Sequence, residues 1–192
     1  QVFESLLAIH RAQEQSLIQQ KEKTVPYEKD IIGISFEKGG TSVLADAYLV
    51  RGNLSTEEAK FMFNYGVLLQ IIDDLQDVEE DFNSFHMTIL SQLENKFKLD
   101  PLINKLFDFI KILFINENCF KSEKAILLKR IIIDSSNILI NEAVSKNTSR
   151  FSKKYVNALE RKSKVRFSYL RKMKKKFAAF TVPSTVPGTL TK

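Results

Sequence analysis

Six acidic side chains crowd into nine positions of the stretch LLQIIDDLQDVEED, residues 68–81: Asp73, Asp74, Asp77, Glu79, Glu80 and Asp81. They follow a run from Phe61 to Ile72 that is apolar at nearly every position, the mark of a helix lying inside a bundle rather than on its surface. At about 100° per residue, Asp73, Asp77 and Asp81 fall within about 80° of one another. Glu80 sits beside them, Gln70 one turn earlier, and Asp74 at the edge of the stripe. Carboxylates on one stripe repel each other and lose water when a bundle surrounds them. Two arrangements relieve this. The acids emerge at a solvated helix end, or they share bound cations. Three or four carboxylates over two turns suit Mg²⁺, which keeps several waters and shares its shell with substrate phosphates. Spacing alone leaves both open.

The elements that must position these groups are helical. Apolar residues recur at three and four, and no stretch alternates for long, so the expected fold is all-α. A first helix runs from near the start to about Lys21, before Pro26 restarts the chain. A second covers roughly Tyr27–Arg51, with Gly39-Gly40 as a kink or close-packing point and Gly52 ending it. Ser55 caps the third, with Glu58 completing a capping box, and the pattern carries this helix to about Glu80. A short helix is expected over Thr88–Phe97, and a fifth with Pro101 in its first turn, ending near Asn116–Asn118. Ser122 caps a sixth, and Ser152 a last long helix, KKYVNALERKSKVRFSYLRKMKKKF. No repeat or domain boundary is evident. One helical domain over 1–180 and an irregular tail over 181–192 is the expected organisation.

The sequence GVLLQIIDDLQDVEED resembles the second aspartate-rich motif of the trans-prenyl diphosphate synthases, in the class I isoprenoid synthase superfamily. Gly66, Gln70, Asp73-Asp74, Asp77 and Asp81 match its order without a gap, with Leu69 in place of an aromatic. Upstream, Gln15 and Lys38 resemble a glutamine and a lysine that the family places before this motif, the lysine touching the diphosphate. The resemblance covers roughly residues 1–100 and implies an antiparallel helical bundle of the isoprenoid synthase type, incomplete at its N-terminus. The chain begins QVFESLLAIH, already in helical pattern, and a first aspartate-rich motif is not found in it. It therefore looks like the C-terminal part of such an enzyme, inactive alone. Gly39 stands where the family has threonine, Ile18 where it often has an acid, and the DFNSFHMTILSQL loop is short and lacks the family's lysine.

The implied activity is Mg²⁺-dependent ionisation of an allylic isoprenoid diphosphate followed by prenyl transfer. A terpene cyclase or a head-to-head synthase of the squalene or phytoene type is the nearest alternative. Asp73, Asp74, Asp77 and Asp81 would hold metal, Asp73, Asp77 and Lys38 would carry catalysis, and Gln70, Gln15, Lys38 and Arg166 would meet substrate. Phe61, Phe63, Val67 and Ile71 are candidates to line a hydrocarbon cavity, with ordinary core packing as the competing role. Product length and dimerisation, common in the family, are not readable.

Composition narrows the remaining classes. With 44% hydrophobic and 27% charged residues the chain is ordinary for a soluble globular protein. One cysteine, Cys119, allows no internal disulfide, so a reducing, cytoplasmic setting is the default. The net charge of +6 divides into about +12 between Lys146 and Lys176 and −6 elsewhere. That basic segment, with Tyr155, Phe167 and Tyr169 in it, reads first as a solvated face, with an anionic membrane surface as an alternative partner and nucleic acid the least favoured. A non-catalytic helical subunit and an all-α nucleotide pyrophosphatase complete the alternatives; the latter needs a second acidic pair that the sequence does not offer.

Overall fold

The computed structural model describes residues 1–20, 29–93, 97–115 and 119–179. Pro26, the ends expected near Lys21, Tyr27 and Asn116–Asn118, and the tail 181–192 lie outside the described residues. Among them there are helices and turns but no strand: α1 Val2–Ser16, extended by a 3₁₀ turn Leu17–Gln20; α2 Ile31–Arg51; α3 Thr56–Gln76; α4 Val78–Asn83; α5 Asp100–Ile115; α6 Glu123–Lys146, followed by a 3₁₀ turn Thr148–Arg150; α7 Lys153–Lys162; and α8 Phe167–Ala179. The fold is all-α, as the periodicity indicates.

The helix starts are written locally. Ser55 Oγ accepts from Glu58 N while Glu58 returns a carboxylate to Ser55 N, the full capping box. Ser122 and Ser152 accept from Ala125 N and Tyr155 N. Asp30 caps α2 through Gly33 N. Gly52 ends α2 at φ +78°, a backbone that L side chains rarely adopt.

The third helix lies at the centre, packed on α2, α5 and α6. Its Leu68, Ile72 and Leu75 join Ile103, Leu106 and Ile110 of α5 and Ile140 and Val144 of α6 in one core. Against α2 the packing is closer still. A Cβ on Gly39 would stand 2.5 Å from Gln70 Cβ and 2.6 Å from the Gly66 carbonyl oxygen, and one on Gly66 would collide with the Gly39 carbonyl. A Cβ on Gly40 would strike the Phe63 ring at 2.5 Å. Residue 39 thus faces 66 and 40 faces 63, an antiparallel crossing of bare backbones. Gly39-Gly40 is a close-packing point, and α2 is not broken there.

Three boundaries differ from the sequence pattern. The third helix stops at Gln76; Asp77, at φ −104° and ψ 8°, is a joint, and α4 continues from it. The break is held from afar: Asn147 Nδ2 donates to the Leu75 carbonyl at 3.1 Å and Lys146 Nζ to the Gln76 carbonyl at 2.8 Å. These replace bonds that a continuing helix would have made. Residues Thr88–Leu93 form turns rather than a helix, since Thr88 N donates to Ser91 Oγ and Ser91 N to Thr88 Oγ1, a closed local exchange that competes with helix. The long terminal helix divides at Ser163–Arg166 into α7 and α8, where the Glu160 carboxylate accepts from Phe167 N.

Candidate acidic site

The six acids separate into distinct environments. Asp73 and Glu80 are exposed, Asp77 and Asp81 half-buried, and Asp74 is only 5% exposed. Glu79 turns away to Arg150. The most buried carboxylate is therefore the one the helical wheel puts at the stripe's edge. The wheel measures angle about one helix, whereas burial depends on what packs against that helix.

Gln70 Nε2 donates to Asp74 Oδ1 at 2.7 Å, so the residue aligned with the motif's glutamine orients its buried carboxylate. The other oxygen, Asp74 Oδ2, is buried without a hydrogen-bond partner. Burial pushes the Asp74 pKa up to about 6; the Gln70 bond and then the Lys38 charge pull it down, while Asp73 and Asp77 push it further up. Asp81 rises to about 7, first from burial and then from the negative charge of Asp74, Asp77, Asp73 and Glu80. The stripe inferred from the sequence is thus a group of mutually repelling carboxylates. Lys38, half-buried on α2, sends its field to both Asp74 and His86 without a salt bridge to any described carboxylate. Burial and then Lys38 lower the His86 pKa. His86 is held beside α4 by its backbone N–H, which donates to the Asp81 carbonyl at 2.9 Å. The sequence offered no spacing that would single it out.

Other sequence candidates fall elsewhere. Gln15 is exposed on α1. Its neighbour Gln19 is the glutamine that reaches inward: 2% exposed, its Nε2 donates to Ser35 Oγ at 3.1 Å and to the Met87 carbonyl at 3.0 Å. Gln19 fastens the end of α1 to α2 and to the turn after α4. Arg166 is exposed in a shallow groove with Asn157, Glu160, Arg161 and Ser168, and none of the four aspartates lines that groove. Thr88, 1% exposed, is engaged with Ser91. Phe61 stacks among Tyr65, Phe114 and Phe120, and Phe63 covers Gly40, both packing roles. In the basic segment, Phe167 is 1% exposed and the Tyr155 hydroxyl donates to Asn104, leaving Tyr169 outward.

The donor set, all carboxylate oxygens with one buried oxygen unpartnered, fits a hard cation such as Mg²⁺. Among the described residues no three His, Cys, Asp or Glu side chains already converge on one metal position. Waters and phosphate oxygens ordinarily complete a Mg²⁺ shell, so a partial protein set is compatible with it.

Two expected results follow directly. Gly39→Thr should destabilise the protein by about 3 kcal/mol or more in urea denaturation, because its Cβ must displace backbone. The second concerns pH. Asp74 and Asp81 have raised pKa values, so the folded chain keeps protons that the unfolded chain has released. Their penalty is absent below the unfolded value of 3.8, grows as pH rises, and is complete above about 6 for Asp74 and about 7 for Asp81. Asp74→Asn should therefore stabilise the protein at pH 8 by about 3 kcal/mol in metal-free buffer and by almost nothing at pH 4. Urea midpoints at the two pH values measure this. Equal effects at both would mean that Asp74 is not charged at the cost of burial.

No helix among the described residues is long and apolar enough to cross a membrane. No known protein-family model matches this sequence, and no curated protein or solved structure matches it.

Proposed function

We propose that the acidic end of α3 and the start of α4 bind Mg²⁺ together with the diphosphate of an allylic isoprenoid, and that the protein belongs to prenyl-transfer chemistry. The observation that carries this is the buried Asp74, held by Gln70, with Oδ2 unpartnered, three further aspartates around it and Lys38 facing it. Asp73, Asp77 and Asp81 would hold metal with Asp74, directly or through water. Mg²⁺ bound there supplies charge neutralisation to a departing diphosphate. Lys38 adds a fixed positive charge for its oxygens. Gln70 keeps the Asp74 carboxylate from rotating. The glycine crossing sets how far Lys38 stands from the aspartates.

Calorimetric titration with inorganic pyrophosphate tests the reading. Binding is expected with Mg²⁺ present and lost without it, and Asp74→Asn should weaken it at least about tenfold. Binding of the same strength with and without Mg²⁺ would dismiss the site.

A second reading, a non-catalytic helical subunit, is favoured by the apolar side chains that α1 leaves outside: Phe3 is 72% exposed, with Leu6 and Leu7 beside it. Light scattering that finds a monomer at high concentration would count against self-association through that face.

A further inference from the structure

A second concavity opens between α5, α6 and α7, away from the aspartates. Its volume is about 800 Å³, and none of the acidic-site residues lines it. Phe107, Ile110, Phe114, Ile138 and Leu159 make its walls apolar. That size and character match small-molecule sites, which run to roughly 300–1,000 Å³ with a few placed polar groups.

One lining group is incomplete. Asn141, 7% exposed, donates through Nδ2 to Ser163 Oγ at 3.1 Å, while its Oδ1 is buried without a donor. The amide cannot be turned round to cure this. The Ser163 hydroxyl gives its single proton to the Val165 carbonyl at 2.7 Å and accepts from Val165 N at 3.3 Å, so toward Asn141 it can only accept. The Nδ2 end must face Ser163, and Oδ1 must wait for a donor from elsewhere. Leaving a buried acceptor unpaired is costly, and such exceptions call for a partner.

The rim supplies charge as well. Lys111 pairs with Asp108, and Lys164 with both oxygens of Asp134. Lys162 lines the same opening with no ion pair to a described residue. Among the described lining residues this leaves one uncompensated positive charge.

We propose that this cavity binds a monoanionic amphiphile, its apolar chain against the α5–α6–α7 walls, its acid group toward Lys162 and an O–H or N–H donor to Asn141 Oδ1. This site is independent of the aspartates.

The test uses isothermal titration calorimetry of the protein with dodecanoate, 12-hydroxydodecanoate and N-decanoylglycine, each below its micellar concentration. At least one of the two donor-bearing acids should bind one-to-one and about tenfold more tightly than dodecanoate. Asn141→Leu should erase that preference while still binding dodecanoate. Ala158 is an exposed lining residue, so Ala158→Trp fills the cavity without touching the core and should abolish binding of all three. Asp74→Asn should change none of these values. Absence of binding to the wild type, no preference for either donor-bearing acid, or unchanged affinity in Ala158→Trp would each overturn the proposal.

Discussion

In a complete protein that also supplies the first aspartate-rich motif, Asp73→Ala should reduce Mg²⁺-dependent release of pyrophosphate from an allylic diphosphate by about a hundredfold to a thousandfold. The expectation belongs to the proposed prenyl chemistry, and its size reflects the loss of charge stabilisation where the leaving group gathers negative charge. Asp73 is exposed, so truncating it removes no core contact and should leave the thermal midpoint nearly unchanged. Loss of release at unchanged stability would then report on chemistry. The exposed Glu80 offers a matched comparison: Glu80→Gln also removes one charge from the cluster but lies outside the assigned ligand set. The measurement is coupled detection of pyrophosphate over C10, C15 and C20 allylic diphosphates, with and without Mg²⁺. Release that survives Asp73→Ala would take the aspartate out of the mechanism.

The largest expected effect on stability comes from a pair that has no part in that chemistry. Arg150 is 1% exposed; its Nε donates to Glu79 Oε1 at 2.7 Å, its Nη1 to the Leu93 carbonyl at 3.0 Å, and its guanidinium lies 4.6 Å from the centre of the Phe82 ring. One side chain thus joins α4, the turn before residue 94 and the segment after α6. The two partners are not equivalent. The Glu79 side chain is 38% exposed, whereas that of Arg150 is 0% exposed. Removing Glu79 strands a buried cation; removing Arg150 leaves a carboxylate that water can reach. Glu79→Ala should therefore cost about 3–5 kcal/mol, and Arg150→Met distinctly less, since its chain still packs on Phe82. Urea denaturation of the two variants decides the order. The Arg150 hydrogen bond also holds the Glu79 carboxyl below its ordinary value. This contribution is present above the unfolded value of 4.5 and fades as pH falls through the lowered one, opposite in sign to the aspartates.

What could be read in advance was local. Ser55 with Glu58, Ser122, Ser152 and Gly52 carry their instructions within four residues, and each stands where the pattern put it. The break at Asp77 was hidden because neither glycine nor proline marks it; its stabilising donors, Lys146 and Asn147, lie about seventy positions away. Arg150 was hidden for a related reason. It belongs to a run of cations that reads as solvated, and its burial depends on Glu79 and Leu93 from another part of the chain. The acidic stripe was legible as a cluster, but which carboxylate is buried depended on tertiary packing. Gln19 and Gln15 are both glutamines near the end of α1, and only tertiary contacts separate the one that faces inward.

The contact of Gly39 with Gly66 also has a mechanical meaning. Where two helices touch through side chains, rotamer changes let them slide; where main chain rests on main chain, there is no such slack. Lys38 and Gln70 are neighbours of that bearing point, one on each helix, so their separation should vary little with temperature or with substitutions in the surrounding aliphatic layer. The spacing between the main chain at Lys38 and that at Gln70 is in this sense a fixed gauge, machined into the backbone.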